Sequence, residues 1–354
     1  MSPDRPTSSE YIPISVRRVV IAEPHGPCGG VNAAVRFTDK LLRIVAGRES
    51  VYTFNEVVHN HKTNKRFEER GLVMIRDRTL DGERDYSKLP RNSLYLSSAH
   101  GYKDSDVQAA IERGCIVFIT ECPLVKKEKK RAVKAIEKGG EIVYFGKAGH
   151  PEPRAVSSVA PPDKFHIVTS QEDLDKLRIN PLTNYTFLNQ TTMSQKDIRG
   201  LKDRAMEIIP LVDVGAKEDG CYATDNRQQA VAALMYGADA LLVVGSGDIS
   251  NNTVNLAKVG QYVMKPTYIV NGSDEINWLA FQRNSGIEEL VLTSGASCDE
   301  NDFQEVVAEF EKRGVEVVHQ QSLVVENDTE FPIEATRNLI LLEERYKNWL
   351  SSQK

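Results

Sequence analysis

The stretch from Arg18 to Val45, RVVIAEPHGPCGGVNAAVRFTDKLLRIV, contains the pattern from which the fold is read. A β-branched run, RVVIAE (18–23), is followed by a Pro- and Gly-rich turn. Cys28 then opens a segment, VNAAVRFTDKLLRIV (31–45), whose apolar residues recur at a spacing of three to four. The pattern is strand, turn, helix. It returns along the chain in SVYTF (50–54), SLYLSSA (93–99), CIVFIT (115–120), EIVYFG (141–146), FHIVTS (165–170), NYTFLNQ (184–190), ALLVVGS (240–246), PTYIVN (266–271) and ELVLTSG (289–295). Helical segments lie between them, among them VKKEKKRAVKAIEKG (125–139), DIRGLKDRAMEII (197–209), RQQAVAALMYG (227–237) and FQEVVAEFEKRG (303–314). Alternation of this kind predicts parallel α/β units. The tail from about 322 ends in EATRNLILLEERYKNWL, an amphipathic helix whose apolar side is expected to dock on the body.

Composition narrows the class. The chain has 354 residues, long enough for two to three domains of about 150. Apolar residues make up 40%, charged residues 27%, and the net charge is −5. That balance argues against a protein whose main work is gripping nucleic acid or an acidic membrane. No apolar run reaches the 18 or more residues of a membrane span. The first 17 residues are polar and Pro/Ser-rich, so they read as a mobile extension and not as a secretory signal. A reducing, cytoplasmic setting is the expectation. Five cysteines in so long a chain do not make a disulfide scaffold. The charged stretch 76–93 reads as a surface insertion, and the basic run KKEKKR (126–131) as a solvated helix face.

Three cysteines share one local context. Cys28, Cys122 and Cys221 each follow an extended segment and open a helix, and they stand 94 and then 99 residues apart. Near-equal intervals suggest related domains of about 100 residues, each giving one thiol to a shared centre. The expected division is an extension over 1–17, α/β domains over 18–121, 122–218 and 219–322, and a tail with a helix over 323–354. A helix N-terminus favours the thiolate, the metal-binding form. Three such thiols suit a zinc with an open position or an iron–sulfur cluster with one iron not held by protein. The plain alternative is three unrelated core cysteines. Cys115, inside an apolar strand, and Cys298, in a loop, read as structural.

In parallel α/β domains functional groups gather beyond the carboxyl ends of strands. Polar groups stand there in every third of the chain: His59, Asn60 and His100 in the first, His150, Glu152, Thr191 and Thr192 in the second, Ser250, Asn251 and Ser297 in the last. Imidazoles, hydroxyls and an amide around one cavity suit a phosphate or diphosphate, to which helix N-termini add.

At these residues the chain resembles the 4-hydroxy-3-methylbut-2-enyl diphosphate reductase family, LytB/IspH. The matching segments run in family order: PHGPCGGV (24–31), NEVVHN (55–60), SSAHG (97–101), ECPLV (121–125), GKAGHPE (146–152), NQTTMS (189–194), CYATDNRQ (221–228), VVGSGDISNN (243–252) and TSGAS (293–297). The resemblance implies three pseudo-symmetric α/β domains in a trefoil around a central [4Fe–4S] cluster, with Cys28, Cys122 and Cys221 as ligands and one iron left for substrate. It implies that His59, His100, Ser250, Asn251 and Ser297 hold a diphosphate. His150, Glu152 and Thr191 would stand beside the substrate's hydroxyl, and Thr224 near the cluster. Thr192 and Asn226 join the substrate-binding set. The implied reaction removes an allylic hydroxyl to give isopentenyl and dimethylallyl diphosphate, with Glu152, aided by Thr191 and His150, as proton source. A ferredoxin or flavodoxin would supply electrons.

Several positions depart from the family pattern: His25, Pro27, Glu121, the run Pro153-Arg154-Ala155-Val156, Asp225, and Ile249 in place of a hydroxyl. They leave two other readings beside the reductase: a paralogue with the same cluster and another small phosphorylated substrate, and a non-catalytic iron–sulfur sensor. In the sensor Glu152→Gln would be silent; in either enzyme it would not.

Overall fold

The structure, a computed structural model, describes residues 12–80, 83–215, 221–322, 324 and 333–352. They form two compact units. The larger runs from Cys28 to Asp225 and takes in the C-terminal helix; the smaller contains the described residues up to Pro27 and those from Asn226 to 324.

The larger unit holds two four-stranded parallel sheets. In the first the order is Leu72–Met74, Val51–Thr53, Leu94–Leu96, Ile116–Phe118. In the second it is Phe165–Val168, Glu141–Phe145, Tyr185–Asn189, Val212–Asp213. Both have one local order: the first strand in sequence is flanked by the second and the third, and the fourth lies beyond the third. The smaller unit holds a five-stranded parallel sheet, Thr267–Val270, Ala240–Val244, Glu289–Ser294, Arg18–Ile21 and Glu316–His319, in which Ala240–Val244 is likewise flanked by the two strands that follow it and the chain's first strand takes the place beyond them. Leu241, Leu242, Val243 and Val244 have no exposed surface, as strands covered on both faces require. Each such side chain contributes about 1.5–3 kcal/mol by leaving water.

This order places the polar loops. In an open parallel sheet the crevice opens where neighbouring strands send their connections to opposite faces. That point falls between Val51–Thr53 and Leu94–Leu96, between Glu141–Phe145 and Tyr185–Asn189, and between Ala240–Val244 and Glu289–Ser294. The loops after those strands carry His59 and His100, then His150 with Thr191, then Ser250 with Ser297.

The strand next in the order leads, in all three sheets, to a cysteine. After Cys28 the helix Gly29–Val45 gives Val31, Ala34, Phe37 and Leu41 to the core of the first sheet. After Cys122 the helix Pro123–Glu137 gives Ala132 and Ala135 to a core with Ile142 and Tyr144. After Cys221 the helix Tyr222–Met235 gives Ala230, Val231 and Met235 to a core with Leu241 and Val243. Each cysteine therefore stands where the chain leaves one sheet for the core of the next.

Three expectations need correction. The first domain does not begin at 18, because Arg18–Ile21 pairs with Glu289–Ser294 and Glu316–His319; local alternation cannot say which sheet a strand joins. Of the extension 1–17, residues 1–11 lie outside the described residues, while 12–17 are tied down: Val16 is buried and Ser15 Oγ donates to Ile287 O at 2.7 Å. The stretch 76–93 is exposed at most of its described positions, as expected of a surface insertion, and is anchored by Arg84, 6% exposed, which donates to Phe54 O at 2.7 Å and pairs with fully buried Asp106 at 3.2 Å. In the run 126–131 Glu128 and Lys129 are buried, and Lys126, Lys127 and Lys130 are exposed. The tail helix, Ile333–Ser352, docks as expected, with Leu339 and Leu342 in the core of the first sheet.

Candidate active site

The larger unit brings together Cys28, Cys122 and Cys221 with His59, His100, His150, Glu152, Thr191 and Thr224. Backbone bonds join their loops. Ala99 N–H donates to Val57 O at 3.1 Å and Cys122 N–H to Ala99 O at 2.9 Å, which ties the His59, His100 and Cys122 loops in series. Lys147 N–H donates to Gln190 Oε1 at 3.0 Å, and Cys221 N–H to Thr191 O at 3.3 Å, which ties the His150, Thr191 and Cys221 loops.

Cys28 and Cys122 are the N-cap residues of their helices, and Asp225 N–H donates to Cys221 O at 3.1 Å as the first turn after Cys221. Backbone N–H groups of Leu124 and Val125 face the Cys122 sulfur, while those of Ala223 and Thr224 and the Thr224 hydroxyl face the Cys221 sulfur. A side chain on Gly30 would place its Cβ 3.1 Å from Cys122 Sγ, so the missing Cβ lets one helix start approach the sulfur of another. The helix starts do not win by themselves. Burial, with the other cysteines adding, pushes Cys122 up to about 12; burial and then Cys28 push Cys221 up to about 11. In the bare protein desolvation outweighs the helix N-terminus, contrary to the sequence expectation, and a cationic centre is what would make these thiols thiolates.

The thiols are near enough to feel one another's charge. Among the described residues no three His, Cys, Asp or Glu side chains close around a single ion. Three thiols at helix starts are a donor set that suits a cluster, which takes each sulfur on a different iron. Cys115 and Cys298 stand apart: Cys298 is buried in the apolar core of the smaller unit, and Cys115 Sγ lies 3.4 Å from Ser93 Oγ.

The histidines form a trio. His59 and His100 stack with centroids 3.6 Å apart, and His150 meets His59 edge-on at 4.8 Å. Burial first, with neighbouring imidazoles adding at His59 and His150, holds all three neutral: His100 falls to about 4, His150 to about 3, and His59 well below its usual value. His150 Nδ1 accepts from Glu152 N–H at 3.2 Å, so the ring proton sits on Nε2. His150 Nε2 and His100 Nδ1 are buried with no partner, polar atoms left for a ligand.

Glu152 is fully buried in the helix Pro151–Ser157. It accepts from Thr191 N–H at 2.7 Å and Thr191 Oγ1 at 3.0 Å. Burial nevertheless raises its carboxyl to about 8, so it carries a proton at neutral pH. Thr192 Oγ1 accepts from Gln190 Nε2 at 2.8 Å. Among the departures, Arg154 is exposed, and Glu121 is buried with its carboxyl raised to about 7 by desolvation against Lys129.

Ser250, Asn251, Ser297 and Asn226 belong to the smaller unit. Ser250 Oγ accepts from Thr253 N–H at 3.3 Å and caps the helix Asn251–Tyr262. Asn252 Oδ1 accepts from Ala296 N–H at 2.7 Å and so joins the Ser250 and Ser297 loops. Sequence reasoning missed Asn252, and missed Asn64, which donates to Val58 O at 2.6 Å and Asn60 O at 2.8 Å and accepts from Val57 N–H at 3.1 Å. A polar residue inside a helix's first turn was the available signal for both.

A family model described as LytB protein matches residues 19–325. Among curated relatives, 4-hydroxy-3-methylbut-2-enyl diphosphate reductase of Idiomarina loihiensis is 32% identical over 316 residues, 88% of this chain and 96% of its own. That of Sodalis glossinidius is 31% identical over 326 residues, 90% and 98%. In fold the chain is similar to the E-1-hydroxy-2-methyl-but-2-enyl-4-diphosphate reductase of Plasmodium falciparum, with a TM-score of 0.83 at 24% identity over 94% of this chain and all of that one.

Proposed function

We propose that this chain, which belongs to the LytB protein family, is a 4-hydroxy-3-methylbut-2-enyl diphosphate reductase, removing the allylic hydroxyl to give isopentenyl and dimethylallyl diphosphate in the non-mevalonate route. The observation that carries this reading is one unit holding a three-thiol set beside a protonated Glu152 and an unpartnered His150 Nε2–H.

Cys28, Cys122 and Cys221 would hold a [4Fe–4S] cluster with one iron not ligated by protein. When bound, that cluster supplies electrons and Lewis-acid polarisation to an otherwise poor leaving group. Glu152 holds the proton that lets oxygen leave as water, and Thr191 orients the carboxyl through two hydrogen bonds. Neutral His59, His100 and His150 offer N–H donors to the substrate without gathering charge. In this reading Ser250, Asn251 and Ser297 join them on the diphosphate, with Thr192 and Asn226 in the binding set and Thr224 holding the Cys221 sulfur. A ferredoxin or flavodoxin is the electron donor. The setting is cytoplasmic, where free thiols persist. No helix of the described residues is long and apolar enough to cross a membrane.

Anaerobic reconstitution followed by assay on (E)-4-hydroxy-3-methylbut-2-enyl diphosphate with a strong reductant tests the proposal. Turnover to both products is expected. An intact cluster without turnover would overturn it in favour of another small phosphorylated substrate, a reading to which Ile249, where a hydroxyl is usual, would then lend weight.

A further inference from the structure

His59 stands on the loop from Phe54 to Asn60 and His100 on the loop from Ser97 to Lys103, yet their rings stack at 3.6 Å. A stack that close requires both loops to be held in place. The bond from Ala99 N–H to Val57 O joins the middles of the loops. Their outer ends meet a second device, which comes from the charged insertion 76–93.

Arg84 Nη1 donates to Phe54 O at 2.7 Å and Nη2 to Asn55 Oδ1 at 2.8 Å, where the His59 loop leaves the strand Val51–Thr53. The guanidinium also lies over the Phe54 ring, 5.3 Å from its centroid. Arg84 Nε lies 3.2 Å from Asp106 Oδ1. Asp106 sits in the first turn of the helix Asp104–Glu112, and its Oδ2 accepts at 3.2 Å from the backbone N–H of Lys103, the last residue of the His100 loop. Tyr86, also from the insertion, donates its hydroxyl to Asp106 Oδ1 at 3.0 Å and meets Phe54 edge-on at 5.4 Å. One guanidinium–carboxylate pair therefore grips the start of one imidazole loop and the end of the other.

Asp106 has no exposed surface and Arg84 only 6%. A buried ion pair is a poor source of stability, because desolvation offsets much of the attraction. Phe54 belongs to an apolar cluster with Ile75, Leu89 and Tyr95, against which an apolar side chain would fill the place of Arg84 at less cost. What the pair supplies is geometry. The planar fork fixes three acceptors at once, and each is left unpaired if the fork moves.

We propose that Arg84, through Asp106, is a positioning residue for diphosphate binding: it fixes the outer ends of two loops and so holds His59 and His100 as one stacked pair. This rests on the reading of His59 and His100 as groups that hold the diphosphate.

Nitrogen NMR of the full-length, histidine-labelled protein reads the ring placement without substrate. His59→Asn and His100→Asn assign the two signals. In Arg84→Lys, which keeps the charge and loses the fork, and in Asp106→Asn, both signals should shift, while those of His166 and His319 stay. Inorganic pyrophosphate, titrated by calorimetry, should bind about tenfold more weakly in both variants, and the reductase KM should rise by a similar factor with kcat nearly unchanged. Tyr86→Phe keeps the ion pair and removes one hydroxyl, so it should fold even if Arg84→Lys does not, with the same changes at smaller size. Arg76→Gln, at an exposed position of the same insertion, should leave every readout unchanged. Unmoved ring signals in Asp106→Asn and Tyr86→Phe would overturn the proposal. So would a lower unfolding midpoint with pyrophosphate affinity and KM unchanged, which would make Arg84 a staple of the fold and nothing more. Shifted ring signals, in a protein whose unaltered form binds neither pyrophosphate nor substrate, would count against the reductase reading alone.

Discussion

At the scale of single residues, the chemistry turns on one buried proton. Glu152 is raised to about 8 by desolvation, against two hydrogen bonds from Thr191 that favour its charged form. A carboxyl that must give a proton works below that value, so turnover should hold through neutral pH and fall as pH rises past about 8. Glu152→Gln should cut turnover by about 10²–10⁴-fold while the visible absorbance of the reconstituted protein stays, since no cysteine is touched; a variant at full rate would remove Glu152 from the reaction. Glu152, His150 and Thr191 were legible in sequence because each follows a β-branched run at a strand's carboxyl end. The burial of Glu128 was not: a glutamate inside KKEKKR reads as a solvated face until the sheet shows which side of the helix is covered.

At the scale of elements, the strand order does most of the positioning. The two four-stranded sheets set their first and third strands side by side, the five-stranded sheet does the same with Ala240–Val244 and Glu289–Ser294, and the loops that leave those strands carry the imidazoles, the carboxyl and the hydroxyls. Gly101 shows how tightly one loop is held. Its φ is +98°, and a Cβ would lie 2.8 Å from Ala155 Cβ and 3.0 Å from Val125 Cγ1. Gly101→Ala should therefore cost about 1–3 kcal/mol from strain and crowding together, read as a lower unfolding midpoint in denaturant. The strands and most helices were legible from periodicity. Their assignment to sheets was not, because Arg18–Ile21 pairs with Glu289–Ser294 and Glu316–His319, far later in sequence, a choice made by long-range packing.

At the scale of the whole molecule, pH reaches stability through the same buried groups. His100 and His150 titrate near 4 and 3 in the folded chain, against 6.5 in the unfolded one. Between those values the unfolded chain binds more protons, so their contribution is present above pH 6.5 and is lost as pH falls toward 4. Glu152 acts in the other direction. The folded state keeps its proton up to about 8, while the unfolded chain releases it near 4.5, so its burial lowers stability as pH rises across that window. Thermal unfolding of the full-length protein should show a steeper loss below pH 6.5 than His100→Asn shows; parallel curves would mean that the imidazole is not held neutral by the fold.

The central claim is that Cys28, Cys122 and Cys221 serve one inorganic centre. Iron and sulfide per chain, with the visible spectrum, measured after anaerobic reconstitution of five single Cys→Ser variants, test it most directly. The account predicts that Cys28→Ser, Cys122→Ser and Cys221→Ser each lose the cluster, while Cys115→Ser and Cys298→Ser keep it at the level of the unaltered protein. A full cluster in any of the first three, or its loss in either of the last two while the fold stays intact, would contradict it.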